Sequence, residues 1–317
     1  MSRFEYLIEK ISEAKFSQAP FKHVYIENFF NDEDFEEITS NSEIDLKPSA
    51  SDQDLFQKLF NSNYKVIEFP GCIIDYKKYI NLHSKGKPLS PANAACEGAG
   101  IVLRLNPSNE MLNELDDFLA SKRFNAAIAD KFGLNIEDCN VDGGIQKYLD
   151  GYEISPHPDI RRKAATFMVN INPHKDSEGF DHHTRYLKLR PEYSYVQEFW
   201  RSNENADRQW VPWDWCETDF IQSKNNSIVL FSPADDTMHA VKANYDHLQT
   251  QRTQLYGNLW YKNEHTTFSP TWQQMEAGDF SDKPAARDAL SKRALRKVVQ
   301  LRNKLRPKDD NIGHRGY

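Results

Sequence analysis

His157-Pro158-Asp159, preceded by Tyr148-Leu149-Asp150-Gly151 and followed by the run Ala164 to Asn172 (AATFMVNIN), is the stretch on which the fold turns. The run is rich in β-branched and aromatic residues, the composition of a strand. Residues i and i+2 of an extended segment point the same way, so His157 and Asp159 can grip one ion together. Pro158 fixes its own φ and pushes His157 out of the helical region, which predicts that the pair is held extended. Downstream, Asn226 to Ser232 (NSIVLFS) is a second short apolar run, ended by Pro233 and the acidic turn Asp235-Asp236. His239 follows that turn, and Arg252 heads the run Arg252 to Tyr261 (RTQLYGNLWY). There Arg252, Gln254, Tyr256 and Asn258 alternate with Thr253, Leu255, Gly257 and Leu259, a strand with a polar inner face and an apolar back. Two imidazoles and one carboxylate form the facial set that holds Fe(II) and leaves three coordination positions open.

This arrangement resembles the Fe(II)/2-oxoglutarate-dependent dioxygenases, in particular their prolyl-4-hydroxylase-like group, over roughly residues 21–261. The similarity lies in Tyr148, Gly151, His157 and Asp159, in the later His239 and Arg252, and in Phe21 to Ile38 (FKHVYIENFFNDEDFEEI) as an opening strand and helix. Asn31 is placed to cap that helix. The resemblance implies a mainly β fold with flanking helices: a double-stranded β-helix (jelly-roll) core backed by N-terminal helices. It implies His157, Asp159 and His239 as iron ligands, Arg252 as the partner of the far carboxylate of 2-oxoglutarate, and Tyr148 and Asn170 as further contacts to that cosubstrate. O2 is the co-reactant, ascorbate a reductant, and succinate and CO2 the co-products. A guanidinium suits the cosubstrate role because it meets a carboxylate with two parallel charge-assisted hydrogen bonds. Halogenating relatives lack the ligand carboxylate; Asp159 therefore favours hydroxylation, with desaturation or epoxidation by the same site still open.

Each residue also has an ordinary explanation: His239 as a core histidine, Arg252 as a surface strand arginine, Tyr148 as a packed aromatic with its hydroxyl at the rim. A non-enzymatic jelly-roll module that binds a ligand or metal is the alternative for the whole chain. The histidines His174, His182 and His183 lie in a polar stretch and are expected in a solvated loop.

The 39% of hydrophobic residues is ample for a core, and no run reaches the ~18 consecutive apolar residues of a membrane span. The N-terminus lacks the pattern of a secretory signal and instead places Phe4, Leu7, Ile8 and Ile11 on one helical face. Cys72, Cys96, Cys139 and Cys216 have neither zinc-knuckle nor disulfide-framework spacing, so a reducing cytoplasm is expected. Helices are predicted around Asp54 to Phe60, Met111 to Leu119, and Phe124 to Phe132, the last closed by Gly133, and strands over Tyr64 to Asp75 and Gly98 to Leu105.

The domain reading is a jelly-roll domain over residues 1–265, with a Trp-rich insertion at about 173–224, and a basic amphipathic helical tail over 266–317. Trp200, Trp210, Trp213 and Trp215 lie in the insertion, either as a substrate wall or as pins holding a loop to the barrel. Residues 283–317 carry 11 Lys+Arg against 3 Asp+Glu, whereas the whole chain has a formal charge of −7. Docking of this basic helix on the acidic domain, or on a second subunit in a homodimer, accounts for the asymmetry better than nucleic acid. A peptidyl or small-molecule substrate is the expected partner.

Overall fold

The computed structural model describes residues 2–90, 94–204 and 206–263. Helix α1 (Tyr6–Glu13) buries Leu7 and Ile11, with Phe4 just before it, on the face the sequence pattern marks. Strands β1 (Phe16–Ser17) and β2 (His23–Glu27) lead to α2 (Asp32–Ser40), where the Asn31 side chain accepts the Asp34 N–H at 2.8 Å, the cap expected from sequence. Next come α3 (Asp52–Asn61), β3 (Tyr64–Val66) and α4 (Tyr76–His83). The strand expected over Tyr64 to Asp75 thus ends early: Gly71 takes φ +80°, a Cβ there would lie 2.2 Å from the Gly98 carbonyl oxygen, and Asp75 caps the unanticipated α4.

After β4 (Val102–Leu105), helices α5 (Glu110–Ala120) and α6 (Lys122–Phe132) carry the expected apolar stripes, and Gly133 closes α6 at φ +70°. The β-rich part follows: β5 (Cys139–Tyr148), β6 (Glu153–His157), β7 (Lys163–Asn170), β8 (Arg185–Leu189), then α7 (Tyr195–Ser202), β9 (Cys216–Ile221), β10 (Ser227–Phe231), β11 (His239–Lys242) and β12 (Arg252–Tyr261).

Two antiparallel sheets form the jelly roll. The larger runs β1-β2-β10-β7-β12-β5-β4-β3 and the smaller β6-β11-β8-β9. One face of the large sheet, through Ile145, Phe167, Val169, Leu255 and Leu259, packs against the N-terminal helices in the main core. Its other face meets the small sheet, as Met168, Val229 and Phe231 pack on Tyr186, and Val102 and Tyr148 on Val241. Alternation along β12 does this sorting: the odd residues Leu255 and Leu259 enter the helix-side core, and the even residues Arg252, Gln254 and Asn258 are buried on the inner face. Gly257 lies opposite Phe167, whose ring occupies the space a Cβ at 257 would need, 2.2 Å away. No helix among the described residues is long and apolar enough to cross a membrane.

Two expectations change. The stretch 173–224 is not a single excursion, because it supplies β8 and β9 of the small sheet; the connection between them, 190–215, contains α7. His182 and His183 are not solvated but buried, at 0% and 6% exposure. The basic helix expected over 266–317 lies outside the described residues.

Candidate metal centre and anion pocket

β6 and β11 are neighbours, and their register sets His239 directly opposite His157. The two rings lie 4.3 Å apart. Each imidazole presents its Nδ1 to a backbone carbonyl: His157 donates to Ser155 O at 2.9 Å and His239 to Thr237 O at 3.0 Å. A carbonyl only accepts, so both rings carry a proton on Nδ1 and turn Nε2 inward, the orientation metal-bound histidines have. Asp159 completes the group: its oxygens lie 3.4 Å from His157 Nε2 and 3.8 Å from His239 Nε2, and all three residues are buried.

Asp159 does not continue the strand. β6 ends at His157, and Asp159 adopts φ +63°, a left-handed conformation that Asp tolerates better than most residues. The carboxylate therefore faces the histidines through a turn rather than through strand alternation. Thr237 Oγ1, in the loop leading to His239, donates to Pro158 O at 2.9 Å, and Arg208 Nη1, in the 190–215 segment, donates to Asp159 O at 3.3 Å; both hold that turn in place. Strain of this kind concentrates at sites where geometry matters.

Lys163 is the residue that sequence reasoning missed. Its ammonium donates to Asp159 Oδ1 at 2.7 Å and to the Tyr256 hydroxyl at 3.0 Å, and Thr166 Oγ1 donates to Asp159 Oδ2 at 2.9 Å. Strict alternation would put Lys163 on the outer face with Phe167. A register shift between β7 and β12 skips Ala164, sets Lys163 opposite Trp260 and returns it to the inner face. Burial alone would raise the Asp159 carboxyl; the Lys163 ammonium beside it outweighs that and holds it well below the usual range. Burial, reinforced by His157, drops His239 to about 3, so it is neutral, the form that ligates a metal.

Trp210, from the 190–215 segment, stacks beside His157 with ring centres 5.9 Å apart, and Val211 N–H bonds to Pro156 O at 2.9 Å. Trp200 is fully buried and Trp213 donates to Glu153 at 2.7 Å. Trp200 and Trp213 thus anchor the segment, the second of the two expected roles, and Trp210 lies beside the His157 ring.

A second group of two histidines and an aspartate, Asp52, His83 and His247, comes together between α3, α4 and the loop before β12. Its hydrogen bonds point the other way. His247 Nδ1 accepts the Asp150 N–H at 3.0 Å, so the proton sits on Nε2 and is donated to Asp52 Oδ1 at 2.8 Å. His83 bridges two carboxylates, Asp52 at 3.0 Å and Asp150 at 3.1 Å. These nitrogens are engaged with protein partners, and the cluster is an ion-pair staple rather than a metal centre. Asp150 and Asp52 raise His83 to about 9. A group whose folded pKa is raised contributes stability that is complete below the unfolded value near 6.5 and is lost as pH rises through the folded one. The stability difference between wild type and His83→Phe should therefore be largest below about pH 6.5, on the order of 2 kcal/mol, and close on approaching pH 10, as read by chemical denaturation. A difference that is flat with pH would refute the charged bridge.

At the head of β12, Arg252 is 2% exposed. Its guanidinium lies over the Tyr148 ring, 4.5 Å from the centroid, and donates to Thr184 Oγ1 at 3.0 Å. Among the described residues no carboxylate pairs with it. Tyr245 braces the pocket: its hydroxyl donates to Tyr148 O at 2.5 Å and accepts the Arg252 backbone N–H at 2.8 Å. Tyr148 thus contributes its ring to Arg252, while its hydroxyl bonds to Gln146 at 2.6 Å. Asn170 shares the inner face, but its amide donates to Gln222 O and Lys224 O and its oxygen accepts from Gln254 at 2.7 Å. The cosubstrate contact expected of Asn170 is therefore replaced by a structural one, because the loop before β10 closes over it.

Solved prolyl hydroxylases are among the structural neighbours. One is a prolyl hydroxylase from Trichoplax adhaerens in complex with a hypoxia inducible factor oxygen degradation domain peptide, at 11% identity over 82% of this chain and 89% of that one, TM-score 0.38. Another is a Pseudomonas putida prolyl-4-hydroxylase, at 10% identity over 82% and 99%, TM-score 0.39. A third is HygX from Streptomyces hygroscopicus with nickel, 2-oxoglutarate and hygromycin B bound, at 11% identity over 65% and 84%, TM-score 0.26. No family model and no curated protein sequence matches the chain.

Proposed function

We propose that this chain is an Fe(II)- and 2-oxoglutarate-dependent dioxygenase that hydroxylates an unactivated C–H bond of a peptidyl or free amino acid or a small metabolite. The observation that carries the proposal is a buried guanidinium that no carboxylate among the described residues pairs with, together with a buried trio of two imidazoles and a carboxylate whose ligand atoms converge. An unpaired buried charge is costly, and a carboxylate ligand is the natural counter-charge for Arg252. His157, Asp159 and His239 would hold the iron, Arg252 and Thr184 the far carboxylate of 2-oxoglutarate. Iron and 2-oxoglutarate, once bound, supply an oxidant able to take hydrogen from an aliphatic carbon, with O2 consumed and succinate and CO2 released. The protein's own contribution is positioning. Lys163 and Thr166 orient Asp159, Tyr245 fixes the backbone at Arg252, and Trp210 shields one side of the centre.

Adding Fe(II) and 2-oxoglutarate without oxygen should give the weak visible charge-transfer band of a chelated ferrous site. Admitting oxygen should then release succinate, faster with the true substrate in a panel of amino acids, peptides and small metabolites. A non-enzymatic binding module would give neither signal, and that outcome would end the proposal.

A further inference from the structure

We propose that His182 is a direct hydrogen-bond donor to the anion held by Arg252, a ligand contact supplied by the turn before β8; this rests on the reading of that pocket as the 2-oxoglutarate site. His182 is 0% exposed, and neither of its ring nitrogens has a hydrogen-bond partner. The Ser177 carbonyl nearby is taken by His183 Nε2 at 2.9 Å. The His182 ring stands edge-on to Tyr245, 4.8 Å between centres at 83°, and Tyr245 is the residue whose hydroxyl accepts the Arg252 backbone N–H. Two residues on, Thr184 accepts from the guanidinium itself. The imidazole is therefore packed beside the residues that hold Arg252, with a donor and an acceptor unused.

Burial, His183 and Arg252 together push His182 down to about 2, so it is a neutral ring carrying one N–H. A buried polar hydrogen left without an acceptor is destabilising, and a carboxylate beside Arg252 would remove that cost. A guanidinium, a hydroxyl and a neutral imidazole N–H make a donor set suited to two carboxylate oxygens, with no additional buried cation required.

The experiment is calorimetric binding of 2-oxoglutarate to the full chain loaded with Mn(II), comparing wild type with His182→Phe, His182→Gln and Arg252→Leu. His182→Phe should weaken binding about tenfold, the size of one hydrogen bond to a charged group. His182→Gln, which keeps an N–H donor, should recover most of it. The Tm without 2-oxoglutarate should hold or rise in His182→Phe, because the unpaired nitrogens are gone; a purely structural histidine would lower it. If wild type binds and Arg252→Leu does not, but His182→Phe binds like wild type, the role of His182 is refuted and the pocket stands. If wild type fails to bind, or Arg252→Leu binds as tightly, the pocket reading fails and His182 with it. Should the phenylalanine variant not fold, the wild-type protein loaded with Zn(II) provides the test. A buried imidazole N–H resonance, assigned by its loss in His182→Gln, should move on addition of 2-oxoglutarate, and an unmoved one overturns the proposal.

Discussion

His157→Ala and His239→Ala should each abolish Fe(II) binding, whereas His83→Ala and His247→Ala leave it intact. Both trios consist of two histidines and an aspartate within reach of one ion. They differ in what faces each ring. His157 and His239 give their Nδ1 protons to carbonyls, which frees Nε2 for a metal. His247 instead receives an N–H at Nδ1 and commits Nε2 to Asp52. Because loss of an outer hydrogen-bond partner already costs a metal site about 10–100-fold in affinity, removal of a ligand should cost more than about a hundredfold. Equilibrium dialysis against Fe(II) or Mn(II) reads the result directly. Iron retained by His157→Ala and lost by His247→Ala would reverse the assignment. Asp159→Ala should lose metal and also fold poorly, since it strands the buried Lys163 ammonium at a cost of about 3–5 kcal/mol. His239→Ala strands no charge and should keep most of its stability.

Arg252→Leu is expected to separate binding from stability. Losing the guanidinium should weaken 2-oxoglutarate by about a hundredfold or more, the 2–5 kcal/mol of a buried charge-assisted pair. Without ligand the variant should be as stable as wild type or more so, because it puts an apolar side chain in place of a buried cation that no carboxylate among the described residues pairs with. The readout is the Tm shift on adding saturating 2-oxoglutarate to the Mn(II)-loaded protein, large for wild type and near zero for Arg252→Leu. A destabilised variant that still responds fully to 2-oxoglutarate would show that Arg252 is structural and that its anion lies elsewhere.

Much of this geometry is legible in one dimension. The alternation in Arg252 to Tyr261 marks the inner and outer faces of β12, and the helical stripes of α1, α3, α5 and α6 mark the surfaces that back the large sheet. His157, Asp159, His239 and Arg252 stand out in the sequence through the resemblance that their spacing carries, since each residue type alone has an ordinary explanation. The pairing of His157 with Asp159 is legible for a partly mistaken reason, since a left-handed turn at Asp159, not strand alternation, brings its carboxylate round.

What the residue order determined by itself, then, is which side chains are available and which face of each element they occupy, because helical and strand periodicities are local properties of a few consecutive residues. What only the tertiary structure decided is how each polar atom is spent. The bulge that turns Lys163 inward depends on its pairing with β12, the carboxamide of Asn170 is claimed by a loop more than fifty residues away, and His182 is buried by Tyr245 and its neighbours. Whether a histidine offers a lone pair to a metal depends on whether packing sets a carbonyl or an amide against its other nitrogen. That choice rests on contacts between segments distant in the chain, which no local pattern encodes.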